Sequence, residues 1–235
     1  MYTVESRIRY SEIDHTGQLR LSNLVNYFQD CSTFQSEDLG YSLKWLREQK
    51  RAWILQSWQI KVERYPRLGE KIKTETWSNG FDLFYGTRNF RMKDEEDKVI
   101  AYANSIWIYI DTESGRPVRI QESDVEKYGQ EPALEMEKVS RKIRITGNVE
   151  KQEGFYVRRD QIDTNEHVNN SCYIQMAAEA APECEHAGGI RVEYKRSAVL
   201  GDYVIPGILK EKDRNIVTLS DANEDIFATV EFKEK

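Results

Sequence analysis

The segment DTNEHVNN, residues 163–170, contains one of only three histidines in a chain of 235 residues. The imidazole of an exposed histidine titrates near neutral pH, so His167 is a candidate general base. The amide of Asn165 has both a donor and an acceptor, which suits it to hold a water molecule or a carbonyl group. Asp163 lies two residues earlier and could orient Asn165 or the neighbouring backbone. These residue types at this spacing are typical of either an elaborate helix cap or a reaction centre.

Asn169 and Asn170 directly precede the apolar segment CYIQMAAEAA, and asparagine is favoured at helix N-termini. The first turn of a helix has unpaired backbone N–H groups and the positive end of the helix dipole. A negative oxygen that develops during acyl transfer would be stabilised there. We therefore predict that a helix starts at Asn169 or Asn170 and that its first turn supplies an oxyanion site.

The composition and the cysteines exclude several other kinds of protein and site. The chain is 39% hydrophobic and 31% charged, which suffices for a full core, and its net charge of −6 argues against a nucleic-acid partner. Cys31, Cys172 and Cys184 are widely spaced and odd in number, which fits a reducing compartment and buried apolar roles. No metal-ligand spacing, phosphate loop or membrane-length apolar run occurs in the sequence. We expect a cytoplasmic protein without a membrane span that needs neither metal nor cofactor.

Two helices, each followed by long strands, must position the candidate residues. An alternating segment over residues 2–10 predicts a first strand, and residues 52–111 predict four more. After a polar linker over about residues 121–140, strand character resumes, a helix is predicted over about 169–186 with Pro182 bending or ending a segment of it, and four strands follow. The first helix is expected to be capped by Ser22 or Asn23 and to bury Leu24, Phe28, Cys31 and Phe34.

The second half of the chain repeats the order of the first. Asp14 aligns with Asp163 at an offset of 149 residues, 163 minus 14, and each precedes a predicted helix. Gly69 aligns with Gly201 at an offset of 132 residues, 201 minus 69. The shared order of these matches indicates two fused α+β units, each burying a helix on an antiparallel sheet and paired around a pseudo-twofold axis. We place the first unit with the linker at residues 1–135 and the second at residues 136–235.

The first copy of the loop lacks the chemistry of the second. His15 occupies that loop, but TGQLRLSN replaces NEHVNNSC, so the Asn-x-His pair is absent. The sequence therefore predicts one reaction centre per chain and a first half that shapes a substrate pocket. The residues expected to line this pocket are Phe28, Trp53 and Trp58, which core packing would explain equally well.

The motif and the repeat resemble one family. DTNEHVNNSCYIQMAAEAAP resembles the second-domain signature Asp-x-Asn-x-His-Val-Asn-Asn of acyl-ACP (acyl carrier protein) thioesterases, in the bacterial type related to the plant enzymes. VEYKRSAVLGD, YSEIDHTGQLRLSNLVNYFQD, RYPRLGE and DTESGRPVRI are also similar to that family, so the resemblance covers nearly the whole chain. It implies a tandem double hot-dog fold, in which each repeat wraps a long antiparallel sheet around one helix. It also implies hydrolysis of acyl-ACP to free fatty acid, which terminates fatty-acid synthesis, with Asp163, Asn165 and His167 in catalysis.

The sequence departs from the plant members on one strand. Where they typically read Arg-Glu-Cys, this chain reads Arg196-Ser197-Ala198. Because Ala198 replaces the cysteine, no thiolate exists at that position and water is the favoured nucleophile. The glutamate that could polarise this water becomes Ser197. Glu179 on the predicted helix, or Glu166, could supply the charge instead, although a solvated helix face explains Glu179 equally well.

An acidic carrier protein needs a basic docking surface, and Arg158, Arg159 and Lys195 flank the motif. Solvated strand faces would also account for such residues. Two other functions stay open, namely hydrolysis of acyl-CoA and binding of an acyl thioester without hydrolysis. The change to Ser197 gives weight to the second of these. The sequence leaves open the length and saturation of the acyl chain, and whether the protein is a monomer or a homodimer.

Overall fold

A computed structural model describes residues 1–234 of the protein, in two halves of similar element order. The first half contains β1 (Tyr2–Arg7), α1 (Leu21–Asp38), α2 (Leu43–Glu48), β2 (Arg51–Val62), β3 (Lys71–Asp82), β4 (Tyr85–Lys93), β5 (Val99–Asp111) and α3 (Glu122–Tyr128). The second half contains β6 (Glu150–Lys151), β7 (Phe155–Tyr156), α4 (Asn170–Ala180), β8 (Gly189–Tyr194), β9 (Tyr203–Lys210), β10 (Asn215–Ser220) and β11 (Ile226–Lys233). Within residues 1–234, no helix is long and apolar enough to cross a membrane.

One antiparallel sheet runs through both halves and confirms the predicted α+β class. The strand order is β1-β3-β4-β5-β2-β8-β11-β10-β9-β6, with β7 also paired to β9. The halves meet where β2 pairs with β8, from Ser57 opposite Glu193 to Lys61 opposite Gly189. Each half thereby covers a strand edge of the other, whose backbone groups would otherwise lack partners.

The central helix of the first half buries an apolar face against the sheet. Leu24, Phe28 and Cys31 are buried, as the periodicity predicts. Phe34 is exposed, contrary to the prediction, because the buried face continues one residue later at Gln35, four residues after Cys31.

The ends of both central helices differ from the sequence prediction. Arg20 occupies the N-cap position of α1, so the predicted caps Ser22 and Asn23 are wrong. The amide of Asn23 instead donates to a backbone carbonyl of the preceding turn. α4 ends before Pro182 and not near residue 186, since proline has no N–H to continue the helix and opens a separate 3-10 turn.

The linker between the halves is partly ordered by the sheet. The segment predicted as an irregular linker, residues 121–140, contains the short helix α3. Further along, the backbone N–H of Ile143 donates to the buried Glu193 carboxylate at 3.0 Å. The strand character expected to resume after the linker is limited to the two-residue strands β6 and β7. A domain boundary after residue 135 stays a prediction.

Matching hydrogen bonds reproduce the internal repeat in three dimensions. The N–H of Gly69 donates to the Ile8 carbonyl at 3.0 Å, and the N–H of Gly201 donates to the Val157 carbonyl at 3.2 Å. Both glycines have a positive φ, +84° and +87°, which other residues adopt only with strain. Each turn supports the loop that leads into the central helix of its half.

Candidate active site

Asp163 organises the backbone of the loop that carries the motif. Its Oδ1 accepts hydrogen bonds from the N–H groups of Asn165 at 2.8 Å and His167 at 3.2 Å. Its own N–H donates to the His167 carbonyl at 2.7 Å. Glu166, between them, has a φ of +62°, so the loop turns sharply at that residue. Asp163 therefore holds Asn165 and His167 in place through the backbone.

The loop is fixed against the segment that follows β8. His167 forms a β-bridge with Val199, and the N–H of Val168 donates to the Ala198 carbonyl at 2.9 Å. This pairing brings Ser197 beside the loop. His167 is half-buried and Asn165 is exposed, so both side chains remain accessible from solvent.

The start of α4 is capped by Asn169 and braced by the first half. The Asn169 Oδ1 accepts from the Ser171 N–H at 3.0 Å, as the sequence predicts for a cap. Gln29 of α1 donates to Asn169 at 3.3 Å and accepts from the Asn170 amide at 2.9 Å. The sequence analysis missed Gln29, because a contact between two central helices has no signal in either helix alone. Its position holds both asparagines at the helix start.

The buried Tyr173 and the half-buried Tyr194 support the other side of the helix start. The Tyr194 hydroxyl donates to the Asn170 carbonyl at 2.9 Å, and the Tyr173 hydroxyl accepts from the Ala198 N–H at 2.7 Å. Their rings pack edge to face with centroids 5.8 Å apart. Burial raises the pKa of Tyr173 to about 12, so the phenol is neutral at physiological pH.

These elements enclose a cleft of about 80 Å³ between the two halves. One wall comes from β2 of the first half, and the other carries the motif. Small-molecule sites usually measure about 300–1,000 Å³, so this cleft is small for a long acyl chain. The lining residues are Trp53, Ile54, Leu55, Gln56, Asp163, Asn165, His167, Val168, Asn170, Tyr173, Tyr194, Lys195, Arg196 and Ser197.

A larger surface depression of about 400 Å³ lies at the opposite end of β8. Seven charged residues line it, and its buried Glu231 carboxylate is paired with both Arg191 and Arg214. It contains no histidine and no apolar wall. The cleft at the motif is therefore the better candidate for acyl chemistry despite its smaller volume.

The structure does not bring Glu179 to the cleft. Its carboxylate is exposed and accepts from the Gln175 amide at 2.9 Å. It lies nine residues beyond Asn170, about 13 Å along the helix at 1.5 Å per residue. Glu166 is also exposed and does not line the cleft. Among the lining residues the only carboxylate is therefore that of Asp163.

The positions of the family's glutamate and cysteine have different environments here. Ser197 is exposed and lines the cleft, whereas Ala198 is fully buried. Cys172, at the start of α4, is the nearest thiol in sequence to the motif, and burial raises its pKa to about 11. A thiol with that pKa is not ionised near neutral pH and is a poor nucleophile.

The predicted acyl-pocket residues divide into two groups. Trp53 lines the cleft, and its contact with an acyl chain stays a prediction. Phe28 and Trp58 do not line it, because both rings are buried in the core of the first half with centroids 6.2 Å apart. The predicted docking residues Arg158, Arg159 and Lys195 are all exposed, and Lys195 lies at the cleft.

The matching loop of the first half has the same backbone and a closed helix start. Asp14 accepts from the N–H groups of Thr16 at 2.8 Å and Gln18 at 3.1 Å, as Asp163 does in the second half. The first N–H of α1, on Leu21, donates to the Glu185 carboxylate at 3.2 Å. Burial raises the pKa of Glu185, while this N–H and the neighbouring positive charge lower it. At the offset of 132 residues, 185 minus 53, Glu185 aligns in sequence with Trp53, which lines the cleft.

Two family models match the chain. The N-terminal domain of acyl-ACP thioesterases matches residues 1–128, and the C-terminal domain matches residues 146–226. The chain belongs to the acyl-ACP thioesterase family. Its second-domain match includes the whole motif and the cleft-lining part of β8.

Curated relatives and solved structures agree with this assignment. The chain is 24% identical over 229 residues to the chloroplastic acyl-(acyl-carrier-protein) hydrolase FATB3 of Cuphea viscosissima, covering 89% of this chain and 56% of that protein. It spans little more than half the length of that curated relative. An acyl-ACP thioesterase from Bacteroides thetaiotaomicron is 22% identical with a TM-score of 0.88, covering 98% of this chain and 96% of the other. The 12:0-ACP thioesterase from Umbellularia californica is 17% identical with a TM-score of 0.84, covering 99% and 96%. These structures confirm the tandem double hot-dog fold.

Proposed function

We propose that this chain hydrolyses the thioester of acyl-ACP, releases a free fatty acid and thereby terminates fatty-acid synthesis. The observation that carries the proposal is the cleft in which Asn165, His167 and the first turn of α4 face an apolar wall of the other half. Hydrolysis of an acyl thioester needs a base, an oxyanion site and an apolar slot, and this cleft offers a candidate for each. Membership of the acyl-ACP thioesterase family supports the same reaction and the acyl carrier protein as partner.

In the proposed mechanism His167 acts as the general base. Its imidazole takes a proton from a water molecule whose oxygen attacks the thioester carbonyl, and the carbon–sulfur bond then breaks. The leaving thiolate of the carrier receives the proton from His167, which returns to its neutral form. Asn165 orients the water or the carbonyl oxygen. Asp163 is a positioning residue, since its carboxylate holds the backbone of both.

The oxyanion site is proposed at the first turn of α4. Asn170 is the equivalent of Leu21 at the offset of 149 residues, and the Leu21 N–H already binds a carboxylate oxygen from Glu185. A helix start that accepts a carboxylate in one half supports stabilisation of a developing oxyanion by its counterpart in the other. The side-chain contacts of Gln29 and Tyr194 hold Asn170 at that position.

Water is the proposed nucleophile. Ala198 offers no thiol, and the raised pKa of Cys172 keeps that group protonated. With Ser197 in the place of the family's glutamate, activation of the water falls to His167 and Asn165. The cytoplasm as the place of action, and a monomeric or homodimeric state, remain predictions.

The test is thiol release from a panel of acyl-ACP thioesters, from C4 to C18, by wild type and His167→Ala. Loss of the general base should lower kcat on the order of 100-fold. The matched control is Gln18→Ala, at the equivalent position of the first half, which should leave kcat unchanged. An equal loss in both variants would assign the effect to folding and not to a base.

A parallel panel of acyl-CoA thioesters separates the carrier-protein enzyme from an acyl-CoA thioesterase. The proposal requires a higher kcat/KM on acyl-ACP than on the matching acyl-CoA. Stoichiometric binding of acyl thioesters without any thiol release by wild type would instead identify a binding protein.

A further inference from the structure

Four large apolar side chains are exposed together beside the catalytic loop. The exposed fractions are 66% for Tyr156, 43% for Val199, 48% for Leu200 and 38% for Tyr203. We call these four residues the β7–β9 patch. Contiguous exposed apolar surface usually marks an interaction site, because it would otherwise be unfavourable in water.

Hydrogen bonds and packing fix the patch as a rigid part of the fold. Tyr156 lies opposite Tyr203 where β7 pairs with β9, and their ring centroids are 4.9 Å apart. Gly154 lies directly beneath the Tyr203 ring, where a Cβ atom would come within 2.6 Å of it. The Asp202 N–H donates to the Val199 carbonyl at 3.1 Å and closes the intervening turn.

The patch borders the mouth of the cleft. Val199 is bridged to His167, and Ser197, two residues before it, lines the cleft. A macromolecule seated on the patch would therefore lie against the loop that carries the proposed base.

The first half has no such patch at the equivalent positions. The offset of 149 residues places Arg7 at the position of Tyr156, and the offset of 132 places Arg67, Leu68 and Lys71 at the positions of Val199, Leu200 and Tyr203. All four are exposed, and only Leu68 is apolar. Since both halves share the same turn, the fold itself does not require apolar side chains there. They occur only in the half that contains His167.

A basic rim accompanies the apolar side chains. Arg158, Arg159 and Lys195 are exposed, and none of them forms an ion pair with a carboxylate of residues 1–234. Arg158 and Arg159 follow β7 after Val157, and Lys195 directly follows β8 at the cleft. Unpaired positive charge on a chain with a net charge of −6 is complementary to an acidic partner.

We propose that the β7–β9 patch, together with this rim, is the docking surface for the acidic carrier protein that delivers the acyl thioester. Apolar side chains of the carrier pack on Tyr156 and Leu200, and its carboxylates pair with Arg158 and Arg159. This inference rests on the proposed hydrolysis of acyl-ACP. It adds a contact that does not involve the reacting atoms.

The experiment uses the full chain with Tyr156→Ser and Leu200→Ser combined. Both side chains are exposed, and the variant loses the ring contact of Tyr156 with Tyr203, so it should remain folded at the assay temperature, which its thermal unfolding checks. Removing two apolar contacts of the patch should lower kcat/KM on acyl-ACP by at least about tenfold, since a few buried anchoring side chains carry most of the binding energy of an interface. The same acyl chain on pantetheine, which has no protein surface, should be hydrolysed at the wild-type rate. The matched control is Leu68→Ser in the first half, which should change neither rate.

Three results would overturn the docking proposal. The first is an unchanged kcat/KM on acyl-ACP, and the second is an equal loss on acyl-pantetheine. The third is conversion of a wild-type dimer into monomers in sedimentation, which would make the patch a contact between two copies of this chain. If wild type hydrolyses neither substrate, the proposed function fails by itself. The docking proposal is then tested by the Kd for acyl-ACP, measured by fluorescence anisotropy. An equal Kd for wild type and the double variant would refute the docking proposal.

Discussion

The loops over residues 14–20 and 163–169 share their backbone hydrogen bonds and differ in what faces the helix that follows. In both loops an aspartate accepts from the N–H groups two and four residues later. In the first half the helix start is occupied by the Glu185 carboxylate. In the second half it opens to a cleft lined by Trp53 and His167. One backbone arrangement thus serves as a closed structural junction and as a candidate reaction centre.

The largest expected difference between the two loops concerns Asp163 and Asp14. Asp163→Ala removes the acceptor of two backbone N–H groups, which should cost about 2 kcal/mol of unfolding free energy and displace His167. We expect kcat to fall by at least about 100-fold at a temperature where the variant is folded. Asp14→Ala should lose similar stability in urea unfolding and keep kcat within about threefold of wild type. Equal losses of kcat would mean that the two loops do not differ in function.

A carboxylate at the second helix start should make that half resemble the first. Trp53→Glu places an acidic side chain in the cleft that Asn170 also lines, at the position that aligns in sequence with Glu185, so it should compete with a developing oxyanion for the first N–H groups of α4. The control is Trp53→Gln, which loses the same aromatic packing without the charge. We expect kcat of the glutamate variant to be at least about tenfold below that of the glutamine variant. Equal kcat values at pH 7 would remove the support for an oxyanion site at Asn170.

The smallest expected effect concerns the carboxyl that closes the first half. Burial raises the pKa of Glu185 above its ordinary value of about 4.5. A carboxyl whose pKa rises on folding stabilises the fold below the unfolded pKa, and this stabilisation is lost as the pH increases through the raised pKa. Glu185→Gln keeps an acceptor for the Leu21 N–H and does not titrate. The unfolding free energy of wild type, relative to this variant, should therefore fall by about 1 kcal/mol or less between pH 4 and pH 7. A difference that is constant over this range would contradict the assignment.

Local sequence signals were sufficient for the loops and the repeat. The aspartate, the positive-φ glycine and the helix-capping asparagine each act within a few residues, so their roles are readable from neighbours in the chain. The prediction that Asn169 caps α4 is confirmed. The repeat offsets follow from the same residues, and the two sets of turn hydrogen bonds reproduce them.

Contacts between distant segments could not be predicted in this way. Gln29 braces α4 from another helix, and Glu185 reaches α1 across more than 160 residues. Phe28 and Trp58 belong to the core because α1 turns Phe28 toward the sheet and the register of β2 turns Trp58 toward α1, which composition alone does not determine. Glu179 does not supply a negative charge to the cleft, because its position on α4 places the carboxylate away from the cleft.

The pairing of β2 with β8, where the two halves meet, affects how this protein can evolve. Substitutions at residues 53–56 alter the wall of the cleft that is proposed to receive the acyl chain, while the loop at 163–170 keeps its own hydrogen bonds. In a pair of identical subunits, each such substitution would appear on both sides of the assembly. Because one chain contains both halves, substitutions in the first half alone can change the proposed acyl-binding wall. The candidate reacting groups, which lie in the second half, stay unchanged.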